Sequence, residues 1–382
     1  MQATVAWHIY ALTGSKLLLG AIGLAQFVPS LVLSLWGGIV ADQTDRTRMV
    51  RRCQMAAAVA GPFMAWGAFT DTATPVWIYL AAAVVAGAGS LEQPSRVALL
   101  VSLVPREHFP RAVTQSATVS ALAFATGPGL AGGLIALSGL AAAYAAQVLL
   151  MAVSIVVLHG LPPCLPEARP ADAPHESILV KLREGFAHVA GHPVVLGCML
   201  LDMLAVVMGG ASALLPVFAE DVLGVGAPGF GMLSASMEVG ALAMSAYLAW
   251  RRPIERVGQA LLGAVAFYGL ATLVFGLSSW FPLSLVAYCA VGMADQVSVV
   301  LRHTAVQMST PDHVRGRVSS INMVFIHTSN QLGALESGVV AHFLGAPGAV
   351  ILGGIAAMVF AGMFALLFPA LRRYRVVAAQ VS

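Results

Sequence analysis

The stretch Gly37-Gly38-Ile39-Val40-Ala41-Asp42-Gln43-Thr44-Asp45-Arg46-Thr47-Arg48 decides how this chain folds. Residues 17–41 are almost all apolar or small. Seven residues then supply two carboxylates and two guanidiniums, with Arg51 and Arg52 just behind. So long an apolar run suits a helix in hydrocarbon, which takes about 20 residues to cross. The sudden charge marks its exit into water and a short turn back. Taken alone, such a loop also fits a simple topology signal.

Composition extends the reading to the whole chain. Apolar residues make up 59% of it and charged residues only 10%, against roughly 25% charged in soluble domains. That surplus cannot be hidden in one water-covered core. Lipid is the fitting solvent. The net charge of +3 is too small to argue for a nucleic-acid partner. Cys53, Cys164, Cys198 and Cys289 stand in or near apolar runs without paired spacing, which argues against a disulfide framework or a metal site. The chain opens without a basic start, so no cleavable signal peptide is read. No phosphate-binding Gly-x-x-x-x-Gly-Lys-Ser/Thr motif is present, so no enzyme and no cofactor are expected.

Turn and charge signals divide the sequence into apolar segments at 1–13, 17–41, 50–69, 76–103, 110–136, 139–161, 193–218, 229–250, 257–279, 281–308, 315–342 and 345–370. Breakers such as Asp71-Thr72-Ala73-Thr74-Pro75 and Gly345-Ala346-Pro347-Gly348 separate them. The predicted class is an all-α integral membrane protein in two halves, 1–161 and 193–382, joined by a proline-rich linker at 162–192. Basic residues sort by side. Arg46, Arg48, Arg51 and Arg52 follow span 2, Arg106 and Arg111 span 4, and Arg169, Lys181 and Arg183 span 6. Arg251, Arg252 and Arg256 follow span 8, Arg315 and Arg317 span 10, and Arg372, Arg373 and Arg375 span 12. The opposite side has Lys16 alone. The asymmetry places every even-numbered connection, and the C-terminus, in the cytoplasm.

The first segment is short. Thirteen residues at 1.5 Å each reach roughly 20 Å, less than a hydrocarbon core of about 30 Å. Eleven full spanning helices and a truncated first are therefore expected, with about twenty further residues ahead of Met1 in the native protein. An internal repeat supports the two halves: Arg96, Pro105 and Arg111 match Arg302, Pro311 and Arg317, each pair 206 residues apart. Paired repeats of this kind build many secondary transporters.

Ionisable groups inside spans cost about 2.5–3.5 kcal/mol each at a helix centre on insertion scales, so each needs a reason. Glu92 and Arg96 are four apart on one helical face and can pair. Asp202, Glu238, Asp295, Arg302, His327 and Glu336 also fall within apolar segments. They read either as functional charges or as structural ion pairs and interface residues. His8, His303 and His327 read as hydrogen-bonded packing residues. In span 5, Pro128 predicts a bend, and Gly127, Gly129, Gly132 and Gly133 allow close backbone approach.

Three motifs bring a family into view. Gly38, Asp42, Arg46 and, one place out, Arg48 resemble the Gly-x-x-x-Asp-(Arg/Lys)-x-Gly-(Arg/Lys)-(Arg/Lys) signature of the major facilitator superfamily, from which Gln43 and Asp45 depart. Gly127-Pro128-Gly129-Leu130-Ala131-Gly132-Gly133 is similar to the Gly-Pro-x-x-Gly-Gly motif of its exporters, with one extra residue. Thr310 to Ser319, which includes Arg315-Gly316-Arg317, resembles its enterobactin-exporter-like branch, as do Ser329 to Gly333 and Leu12-Thr13-Gly14-Ser15. The matching segments run from residue 7 to about 345.

The resemblance implies a two-half helix bundle in the bacterial inner membrane, acting as a monomer. It implies proton-coupled export of a small amphipathic molecule, siderophore- or drug-like. Spans 1, 4, 7 and 10 would line its cavity, making Glu92, Gln93, Arg96, Asp202, Asp295 and Gln296 candidates for substrate or proton contact. Gly38, Asp42, Arg46, Arg48, Arg315 and Arg317 become the cytoplasmic gate. A non-transporting receptor or assembly factor on the same fold, or an importer of sugar or lipid, remains the alternative. Sidedness has a direct test. Single cysteines near Arg251 are expected to resist impermeant thiol reagents in intact cells, while cysteines near Asp71 or Gly226 label; reversed labelling refutes the topology.

Overall fold

In hydrocarbon every backbone N–H and C=O needs a partner within the protein, and a helix supplies one for each interior residue. The computed structural model describes residues 1–164, 178–251 and 254–376, and among these it is helical with no strand. Residues 165–177 of the predicted linker lie outside the described residues. The helices are α1 (Gln2–Thr13), α2 (Lys16–Gln43), α3 (Arg46–Phe69), α4 (Pro75–Leu103), α5 (Phe109–His159), α6 (Ile178–Gly191), α7 (Pro193–Met208), α8 (Leu215–Val217), α9 (Gly226–Trp250), α10 (Val257–Leu277), α11 (Phe281–Met308), α12 (Asp312–Leu367) and α13 (Pro369–Arg373). Eight described stretches are long and apolar enough to cross a membrane.

The chain forms two compact units. The first holds Met1–Ala173 and the opening of α9, Val225–Met232. Here α4 packs between α2 and α3, α3 packs on α5, and α1 touches α2, α4 and α5. Small residues set the crossings: a Cβ on Gly87 would meet Leu33 Cδ1 at 2.8 Å, and one on Gly61 would meet Val148 Cγ2 at 2.6 Å. His8 Nδ1 lies 3.1 Å from the buried Tyr144 hydroxyl, which fits a packing role. Val59, Phe69 and Leu137 remain largely exposed, a surface suited to lipid and a liability in water.

The second unit holds Pro174–Gly224 and Leu233–Ser382. Helix α10 packs on α11 and α12, and α7 packs on α12. Gly269 and Gly354 face each other, a Cβ on either meeting the other's carbonyl at 2.6–2.7 Å. Phe218, Phe275 and Tyr288 stack in series with centroids 4.6 and 4.9 Å apart. Amphipathic α6 rests on α12, with Gly185 against Ile321 and Phe186 against Phe325. The seventh apolar segment runs past the expected residue 218. It breaks at Gly209-Gly210 and continues through a 3₁₀ turn, α8 and a π turn to Val222.

Helices α5 and α12 are each two arms joined by one non-helical glycine, Gly139 (φ 80°, ψ 175°) and Gly345 (φ 76°, ψ 164°). These corners are 206 residues apart, the offset of the sequence repeat. The backbone of α5 leaves helical dihedrals at Gly139, where the sixth predicted segment begins, while Pro128 lies inside the first arm. Only glycine enters the corner conformation readily. Gly139→Ala is expected to cost about 1–3 kcal/mol, although nothing lies within 4 Å of the added Cβ. Gly133→Ala, in equally open space but on ordinary helix, is the control expected to cost nothing. Thermal unfolding of the purified variants measures both.

Candidate functional site

The loop after α2 is built around Asp45, which the family signature passes over. Asp45 caps α3: its buried carboxylate accepts from the Thr47 and Arg48 amides at 3.0 and 3.3 Å. It also accepts from the Cys164 amide at 3.2 Å and pairs with Arg48 Nε at 3.4 Å. The Thr47 hydroxyl donates to the Pro162 carbonyl, and the Arg46 amide to the Cys164 carbonyl. Arg46 Nη1 reaches α4, donating to Ser102 Oγ and to the Ala98 carbonyl. Gly38 and Asp42 are placed only as part of α2, since the side chains of 35–43 lie outside the described residues. Arg315, at the start of α12, donates to the Thr310 carbonyl at 3.4 Å, and the half-buried Arg317 packs beside Gly185.

In the first unit, Glu92 does not pair with Arg96. Gln54 of α3 donates to Glu92 Oε1 at 3.0 Å, and Ser154 of α5 donates to Gln54 Oε1 at 2.9 Å. A three-helix polar chain stands where an i, i+4 pair was possible, because Glu92 turns toward α3, while Arg96 and Gln93 are exposed. Gln54 and Ser154 were not singled out from sequence; a polar amide within an otherwise apolar stretch of α3 was the available signal.

In the second unit, Asp202 of α7 and Arg302 of α11 form a buried ion pair. Asp202 also lines a small pocket with Tyr268, Asp295 and Ser298. The Tyr268 hydroxyl donates to the Gly209 carbonyl at 3.0 Å, tying α10 to the break after α7. Asp295 stands at the middle of α11, with no ion pair among the described residues. Gln296 beside it is half-buried. Glu238 of α9 lies near enough to interact electrostatically with Asp295, where Gly292 lets the α9 backbone approach at Met237. The Ser337 hydroxyl donates to Glu336 Oε2 at 3.4 Å.

Within the Gly127–Gly133 motif Gly132 is pressed against the start of α9. A Cβ there would meet the Ala227 carbonyl at 2.6 Å and Gly231 Cα at 2.7 Å, whereas Gly127 and Gly133 face open space. From the other side, a Cβ on Gly231 would meet Gly132 Cα and the Pro128 carbonyl at 3.0 Å.

Helices long and apolar enough to cross a membrane, with charges set within them, describe a multi-pass helical membrane protein. Its family match makes it a secondary transporter of the major facilitator superfamily. More narrowly, the chain belongs to the transmembrane secretion effectors, whose family profile it matches over residues 1–381. It is 24% identical to the enterobactin exporter EntS of Shigella boydii serotype 4 (strain Sb227), an alignment covering 100% of this chain and 91% of that protein. Against the enterobactin exporter EntS of Escherichia coli O1:K1 / APEC it is also 24% identical, with 94% and 84% covered. A POT family transporter in complex with 5-aminolevulinic acid shares the fold with a TM-score of 0.74 at 11% identity, covering 97% of this chain and 93% of that one. A D-xylose–proton symporter does so with 0.72 at 13% identity, covering 98% and 95%. The protein is a transporter of a small molecule and not an enzyme, a multi-pass protein of the bacterial inner membrane.

The buried pair gives a stability test. Asp202→Asn or Arg302→Gln alone strands one buried charge and is expected to cost about 3–5 kcal/mol. The double variant removes both charges and recovers most of that loss. Thermal unfolding of the three variants measures the coupling, and additive losses exclude a direct pair.

Proposed function

We propose that the protein exports a small amphipathic, siderophore- or drug-like molecule in exchange for protons, by alternating access of its halves 1–161 and 193–382. The observation that carries this reading is Asp295, a carboxyl at mid-helix without an ion-pair partner among the described residues. A charge within a spanning helix is costly, and such residues mark substrate and proton paths. By contrast, Asp202 is neutralised by Arg302, and Glu92 is held by Gln54. In this reading Asp295 exchanges protons, Gln296 and Asp202 border the substrate path, and Gln93 and Arg96 offer polar contacts from the first half. Glu92 keeps α4 in register with α3.

Gly38, Asp42, Arg46 and Arg48, with Arg315 and Arg317, control access from the cytoplasmic side, on which the C-terminus also lies. The single polypeptide acts as a monomer. The export direction follows the relatives, which are named enterobactin exporters.

Proteoliposomes loaded with enterobactin, the molecule named for the relatives, test the reading. An imposed proton gradient is expected to drive siderophore movement in the wild type. Asp295→Asn is expected to lower gradient-driven transport at least about tenfold, the scale of 1.4 kcal/mol in a barrier, without loss of folding. Asp42→Asn is expected to slow transport with and without the gradient. Wild-type proton coupling in Asp295→Asn would overturn the assignment.

A further inference from the structure

The first unit carries a cleft of about 530 Å³ between α2, α3 and α4 that the transport reading does not use. Pro29 and Leu33 of α2 form one wall, Met49, Cys53 and Ala56 of α3 the other, and α4 from Leu80 to Leu91 the floor. Among its lining residues Arg52 alone is charged. At 1.5 Å per residue, Leu80 to Leu91 spans about 16 Å, close to one leaflet of a hydrocarbon core about 30 Å thick. Met49 and Cys53 pack with Ala88 and Leu91, so Arg52 stands at the Leu91 end and Leu80 at the other.

Arg52 is exposed and forms no ion pair with a described residue, while Arg48 is committed to Asp45. A long cationic side chain at this level keeps its stem on apolar surface and its head in the polar zone. The guanidinium fork matches phosphate oxygens. A zwitterionic headgroup would bring a second cation beside Arg52. An anionic one brings none.

We propose that this cleft binds one anionic phospholipid, its acyl chain along α4 and its phosphate on Arg52. Length, apolar lining and a single terminal cation together select a lipid over a soluble anion, which would leave the cleft empty.

Native mass spectrometry of the purified full chain, with dioleoyl phosphatidylglycerol and dioleoyl phosphatidylcholine in competition, tests this. The wild type is expected to retain one phosphatidylglycerol with about fivefold preference, the scale of one basic residue at a membrane surface. Arg52→Gln is expected to erase the preference, Arg52→Lys to keep part of it, and Arg111→Gln to leave it intact. Val84→Trp, which fills the cleft from an exposed position, is expected to reduce retention of both lipids. Soluble glycerol phosphate is expected to give no thermal shift. Equal retention of the two lipids by the wild type overturns the proposal. So does a preference that survives both Arg52→Gln and Val84→Trp, or a dimer of the chain that Val84→Trp dissolves.

Discussion

Hydrocarbon can neither donate nor accept a hydrogen bond, and this constraint shapes the whole protein. It explains why the described chain is helical. It also explains the polar architecture. Asp202 and Arg302 neutralise each other, Gln54 joins Glu92 to Ser154, and Tyr268 caps the carbonyl released at Gly209. Each arrangement ties two or three helices together, so the groups that are hardest to bury also hold the bundle in register. A mid-helix carboxyl outside such a tie, as at Asp295, stands out against that background.

The two units share a plan and differ in its use. Gly139 and Gly345 occupy equivalent places and conformations. Arg96 and Arg302 are equivalent in sequence, yet Arg96 is exposed and Arg302 is buried against Asp202. The second unit therefore spends its arginine on cohesion, and the first keeps its arginine accessible. This division is consistent with a duplicated scaffold whose halves have taken different tasks.

Long apolar runs and their breakers made the helical membrane fold readable, because spanning length and charge placement are properties of contiguous sequence. Contacts between distant residues were not readable in this way. Asp202 and Arg302 are a hundred residues apart, and nothing local links them. Glu92 and Arg96 had the right spacing for a pair, but spacing fixes only a shared face. The neighbouring helix decides which group Glu92 meets. Asp45 was within reach of sequence reasoning, since an aspartate just ahead of a helix is a strong cap. The family signature drew attention to Asp42 instead. Of the Gly127–Gly133 motif, the sequence conveyed that something approaches closely but not that Gly132 meets Ala227 and Gly231 of α9.

The one-residue corners at Gly139 and Gly345 have a mechanical consequence. A longer loop would act as a slack tether, letting the flanking helices slide or twist independently. One extended glycine leaves no slack, so each pair of arms behaves as a crank in which rotation of one arm is delivered to the other. Displacement at a far end of α5 or α12 is thus transmitted through the corner rather than absorbed there, and compliance must reside in the longer connections elsewhere in each unit.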